Sequence, residues 1–120
     1  MSDTDLTDLP VLDSSTIDEL REIMEESFTE LVETFLQDLP MELAKVDQAV
    51  ENREPEALYY TAHHLKSSSG SIGALQLAEL LAQLETLGSD GSIIGSTLLM
   101  EQARATAEQT RLALKMLLEH

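Results

Sequence analysis

The sequence predicts an all-α fold, an antiparallel up-down four-helix bundle with a short N-terminal capping helix, and three observations carry that expectation. Aromatic residues make up only 3% of the 120 residues, while Leu, Ala, Glu and Gln are frequent, so local preference leans towards helix. Apolar residues recur at intervals of three and four through four long segments. Short stretches rich in Pro, Gly and Ser join those segments, and short connections make consecutive helices antiparallel neighbours.

Residues 1–12 are polar and acidic, with Pro10 as a rigid point, and are expected to form a frayed leader. Thr16 and Glu19 have capping-box spacing ahead of Ile17, Leu20 and Met24, which places a short helix over about 16–24. A long helix follows over about 26–52, where Phe28, Leu31, Val32, Phe35, Leu39, Leu43, Val46 and Val50 share one face. Pro40 falls inside this stripe, which keeps its phase on both sides, so a kinked single helix is expected. Pro55 suits the first turn of a third helix. That helix runs to about Ile72, where Gly73 is a natural left-handed terminator.

A fourth helix over about 74–87 presents Leu77, Leu80, Leu81, Leu84 and Leu87 and stops at Gly88. The segment "GSDGSIIGS" is a loop, and a last helix over about 96–117 carries Leu99, Ala103, Thr106, Thr110, Ala113 and Leu117 on one side. The methionines and both phenylalanines read as core filler. The division is thus a leader at 1–12, a bundle at 13–117, and 118–120, whose "LEH" reads as the stub of an expression tag.

Composition excludes several functions. A formal net charge of −16 opposes binding to the phosphate backbone of nucleic acid or to anionic membranes. The chain has no cysteine, hence no disulfide framework and no thiol chemistry; a reducing cytoplasm fits. No apolar run approaches the ~20 residues needed to span a bilayer.

The stretch "TAHHLKSSSGSIGA" at 61–74 is the chemical anomaly. With 100° per residue and His63 at zero, Leu58, Ala62, Leu65 and Ile72 fall at about −140°, −100°, −160° and 180°, a stripe that must face the core. His63 therefore points to solvent. Tyr59, Tyr60, Lys66, Ser67 and Gly70 lie on the arc around it, and His64 sits on the flank beside a neighbouring helix. From Ala57 to Ala78 there is no acid, although Asp and Glu number 23 in the chain. A surface cleared of carboxylates suits a histidine that must hold a phosphoryl group, because each nearby carboxylate would repel it.

Other readings of the stretch are weaker. A solvated surface histidine is the ordinary alternative. Adjacent histidines point about 100° apart and have no ligand partner at i+4, so a metal site is poor. The serines form no G-x-S-x-G arrangement, and no acid is placed to complete a triad, which leaves a hydrolase unsupported.

"AHHLKSSSGSIGA" resembles the signature of the histidine-containing phosphotransfer (HPt) domains, A-H-x-[LI]-K-G-[SA]-[SA]-x-x-x-G-[AL]. Ala62, His63, Leu65, Lys66, Ser68, Ser69, Gly73 and Ala74 match it. "LREIMEESFTELVETFLQDLP" resembles the family's N-terminal helices, so the similarity covers roughly 13–115 and is strongest to free-standing bacterial members. Ser67 stands where the family most often has glycine.

The resemblance implies a phosphocarrier in a multistep two-component phosphorelay, not an enzyme with autokinase activity. His63 would be phosphorylated on Nε2, accepting the group from a receiver-domain aspartate of a hybrid sensor histidine kinase and passing it to a response-regulator receiver. Lys66 would stabilise the phosphoryl oxygens, and Tyr59, Tyr60, Ser67 and Gly70 would help dock the receiver. The chain would need no cofactor of its own, since Mg²⁺ belongs to the receiver's acidic pocket, and an accessible transfer surface favours a monomer. A non-phosphorylated helical adaptor using the same face is the alternative.

Overall fold

The computed structural model describes residues 8–119, which contain five α-helices and no strand. They are α1 (Ser14–Met24), α2 (Ser27–Glu51), α3 (Pro55–Ser71), α4 (Leu75–Ser89) and α5 (Ser96–Leu118). The four long helices form a ring in chain order. Helix α2 packs on α3, α3 on α4, α4 on α5, and α5 closes back on α2, with no diagonal pair in contact among the described residues. Short connections around one core produce this up-down arrangement, and α1 lies against α2.

The N-terminal region differs from expectation in two ways. Asp13, not Thr16, caps α1: its carboxylate accepts from the Thr16 backbone N–H at 3.2 Å and from the Thr16 hydroxyl at 2.6 Å. An acid at the N-cap satisfies an otherwise orphaned donor and suits the helix dipole, so the helix starts two residues early. Residues 8–12 are also not a frayed leader. The Gln76 side chain donates to the Leu9 carbonyl and its backbone N–H to the Pro10 carbonyl, Asp13 N–H donates to the Gly73 carbonyl, and Leu12 packs against the core. These bonds pin the segment over the α3–α4 turn, which α1 thereby caps. The rest of the leader, residues 1–7, and His120 lie outside the described residues.

Helix α2 runs unbroken through Pro40, which is exposed. Its buried residues Phe28, Val32, Phe35, Leu39, Val46, Ala49 and Val50 follow the expected stripe, with Leu31 and Leu43 at its edges. From α4, Leu77, Leu80, Leu81 and Leu84 are fully buried, each contributing about 1.5–3 kcal/mol relative to exposure. The buried face of α5 is turned slightly from the expected one: Ala103, Thr106 and Thr110 are buried as expected, but Met100, Ala107 and Leu114 join them while Leu99, Ala113 and Leu117 are only partly covered. Two apolar stripes lie side by side on this helix, and only the neighbouring α2 and α4 decide between them. The methionine reading also needs correction, because Met100 fills the core whereas Met41 and Met116 are exposed.

Three glycines mark the turns, whereas Gly70 and Gly88 lie inside helices. Gly73 has φ +85° and ends α3 in the left-handed conformation that a side chain resists. Gly88, expected to stop α4, is instead buried inside it. The helix continues to Ser89, and Gly91 and Gly95 supply the positive-φ positions of the following loop.

Candidate functional site

Helix α3 buries Leu58, Ala62, Leu65 and Ser69, which leaves the opposite face outward by its period. His63 stands near the middle of that face with its side chain 52% exposed. One turn earlier, Tyr59 stacks its ring on the imidazole, with centroids 5.9 Å apart and planes at 17°. Tyr60 meets Tyr59 edge-on at 5.0 Å. The imidazole is thus buttressed on one side and open on another.

The surface around it is not free of carboxylates. Glu85, from α4, reaches His63 Nδ1 with Oε2 at 2.7 Å and Lys66 Nζ with Oε1 at 2.5 Å. The acid-free window in the sequence holds along α3 alone. Packing α4 against α3 brings in an acid 22 positions away. Its charge is opposed locally by Lys66, so the Glu85–Lys66 pair beside the imidazole is neutral overall.

This carboxylate fixes the imidazole's chemistry. Burial raises the Glu85 pKa, since its side chain is only 14% exposed, but hydrogen bonds from Lys66 and His63 and their positive charges outweigh that, holding it below the ordinary carboxylate range. At neutral pH Glu85 is therefore ionised, and an ionised carboxylate can only accept. The hydrogen on the short contact must sit on Nδ1. In the neutral ring Nε2 then carries the free lone pair, aimed away from Glu85.

The remaining predicted residues fall around this group. Ser67 and Tyr60 are exposed, and Gly70 is half-buried with open space where a Cβ would stand. His64 sits on the flank beside α2, its Nε2 3.6 Å from Glu42 Oε1, too long for a direct hydrogen bond. An apolar groove between α1, α2 and α3 opens beside it, lined by Leu20, Met24, Leu31, Phe35, Leu39 and Ile72. Among the described residues no group of three or more His, Asp or Glu is placed to hold a metal ion. Glu85 and the groove are the features sequence reasoning missed. Glu85 follows Leu84, so helical period puts it on the flank of α4; nothing in the sequence says which neighbour that flank meets.

Comparison with known proteins bears on the fold and the family. The family model described as the Hpt domain matches residues 30–119. No curated protein matches the chain. Among solved structures, the chain is similar to the histidine-containing phosphotransfer protein B (HptB) of Pseudomonas aeruginosa, with 30% identity and a TM-score of 0.86 over 89% of this chain and 93% of that one. With a bundle of the same shape and a family match across three-quarters of its length, this chain belongs to the histidine-containing phosphotransfer (Hpt) domain family.

Proposed function

We propose that this protein is a phosphocarrier of a multistep phosphorelay, which takes a phosphoryl group from a receiver aspartate onto His63 Nε2 and delivers it to a second receiver aspartate. The observation that carries the reading is the Glu85–His63 contact, because it leaves the outward nitrogen of the ring as the nucleophile. In the transfer, the Nε2 lone pair forms the N–P bond as the P–O bond to the aspartate breaks, and the electron pair of that bond leaves with the carboxylate. Nδ1 keeps its hydrogen, so the phosphorylated ring is cationic. Glu85 opposes that charge, as the buried acid of a Ser-His-Asp triad opposes an imidazolium. The reverse step needs the same parts.

Transfer of this kind passes through a loose transition state governed by positioning and charge neutralisation. Lys66 serves the second need, its ammonium lying one turn from the ring and tethered by Glu85. Ser67 and Gly70 keep the approach open, and Tyr59 and Tyr60 offer a flat aromatic edge to a docking receiver. Leu20, Met24 and Leu31 of the neighbouring groove add apolar surface that such a partner can cover. The ring's single carboxylate is engaged twice, so Mg²⁺ is supplied by the receiver. An accessible face of this kind fits a monomer that works in the cytoplasm, and among the described residues no helix is long and apolar enough to cross a membrane.

The test is incubation with a phosphorylated receiver. Acid-labile label should appear on the chain, vanish in His63→Gln and persist in His64→Gln. Label that survives loss of His63 defeats the reading, and complex formation indifferent to His63→Gln, with no label on the wild-type chain, would make the protein a helical adaptor.

A further inference from the structure

Glycine inside a helix is destabilising relative to alanine, yet Gly88 lies buried within α4. Its φ is not positive, so no turn requires it. What requires it is α3. A Cβ at this position would fall 2.5 Å from the Tyr59 backbone N, 2.6 Å from the Pro55 carbonyl oxygen and 2.9 Å from the Tyr59 Cα. All three are main-chain atoms, which cannot swing aside as a side-chain tip can. The backbone of α4 thus rests directly on the first turns of α3.

The contact sits one level below the functional group. Gly88 is one turn beyond Glu85 on α4, and Tyr59 is one turn before His63 on α3 and stacks on its ring. Helix separation depends on the side chains at the contact. We infer that Gly88 is a positioning residue: its missing side chain sets the α3–α4 spacing that lets Glu85 bridge His63 and Lys66. This rests on the phosphocarrier reading for its consequence, though the geometry stands without it.

The available slack is small. Ordinary contact for a Cβ begins near 3.4 Å and a methyl at 88 would stand 2.5 Å from the Tyr59 nitrogen, so relieving the clash would part the two helices by up to about 0.9 Å. The same displacement would take the Nδ1–Oε2 contact from 2.7 Å to about 3.6 Å, which is no longer a hydrogen bond. Both Glu85 oxygens are committed, one to His63 and one to Lys66. Both partners lie on α3 and would withdraw from Glu85 together, so the bridge survives only if the Glu85 side chain extends after both.

The experiment compares Gly88→Ala, Glu85→Ala and the double variant with wild type, using the long-range ¹H–¹⁵N spectrum of the His63 ring, assigned by its loss in His63→Gln, and the rate of transfer from a phosphorylated receiver. The wild-type ring should show its hydrogen on Nδ1. Gly88→Ala should lose that signature while retaining helical circular dichroism, and should slow transfer about tenfold, the effect of one charge-assisted hydrogen bond. In the Glu85→Ala background the same glycine change should do nothing further to either readout. An unchanged ring spectrum in folded Gly88→Ala, or additive losses in the double variant, would overturn the proposal. If Gly88→Ala is unfolded in buffer, the spectrum is taken with trimethylamine N-oxide, which favours the compact chain. Failure to fold there too would mean that Gly88 serves the bundle and not the bridge, and would equally overturn it. The spectrum needs no receiver, so a wild-type chain that takes no phosphate would sink the carrier reading while the link from Gly88 to the ring was still measured.

Discussion

Replacing Glu85 with alanine tests the chemistry of the site most directly. The change removes the acceptor for both His63 Nδ1 and Lys66 Nζ. Two opposing effects follow, and distance decides between them. Glu85 touches the ring at 2.7 Å, where attraction to a cationic imidazole is ~1.5 kcal/mol in water and several-fold more in a partly desolvated interface. In the proposed transfer the phosphoryl group would stand beyond Nε2, about 7 Å from the carboxylate, where repulsion is ~0.6 kcal/mol per charge pair in water, or ~1.2 kcal/mol for its two charges. Attraction wins. Loss of a charge-assisted hydrogen bond of about 1.5–3 kcal/mol should slow transfer roughly 10- to 100-fold. Stability should fall less, by about 1 kcal/mol, because His63 is half-exposed and water replaces the contact. Rapid-quench measurement of label passing from a phosphorylated receiver, alongside urea denaturation, reads both quantities. A Glu85→Ala protein that transfers as fast as wild type would show that the carboxylate neither orients nor stabilises the imidazole.

Three further outcomes follow from the same coordinates. Lys66→Ala should slow transfer several-fold and change stability by under about 1 kcal/mol, since its side chain is 33% exposed; an unchanged rate would remove Lys66 from the chemistry. Ser69 is fully buried with a hydroxyl that has no hydrogen-bond partner among the described residues, so Ser69→Ala should stabilise the bundle by about 1 kcal/mol in urea titrations, and a loss would reveal a partner. The lowered Glu85 pKa sets a pH dependence: a depressed carboxyl stabilises fully above its ordinary value of 4.5 and loses that contribution as pH falls through its folded value. Thermal melts of wild type and Glu85→Gln should therefore differ near neutrality and converge in acid below pH 4.5, and a gap that widened in acid would contradict the sign.

Much of this molecule was legible one helix at a time. The outward turn of His63 follows from Leu58, Ala62, Leu65 and Ile72 at helical spacing, and the left-handed turn at Gly73 from the residue itself, because 100° per residue and the tolerance of glycine are local properties. Where two readings were locally equivalent, the sequence could not choose. The apolar stripes on α5 are such a case, and Gly88 is another: beside a Gly-Ser-Asp loop it looks like a stop, but it is a point of backbone contact between two helices.

The sequence by itself determined five helices, which face of the first four could be buried, and a histidine turned outward with a lysine one turn on. Only the tertiary structure decided that Glu85 holds that histidine, which nitrogen is left free, and why a glycine sits inside α4. The physical reason is range. Helical period acts over four residues, whereas a hydrogen bond across 22 positions depends on how two packed helices are spaced and rotated, and that is settled by the whole core.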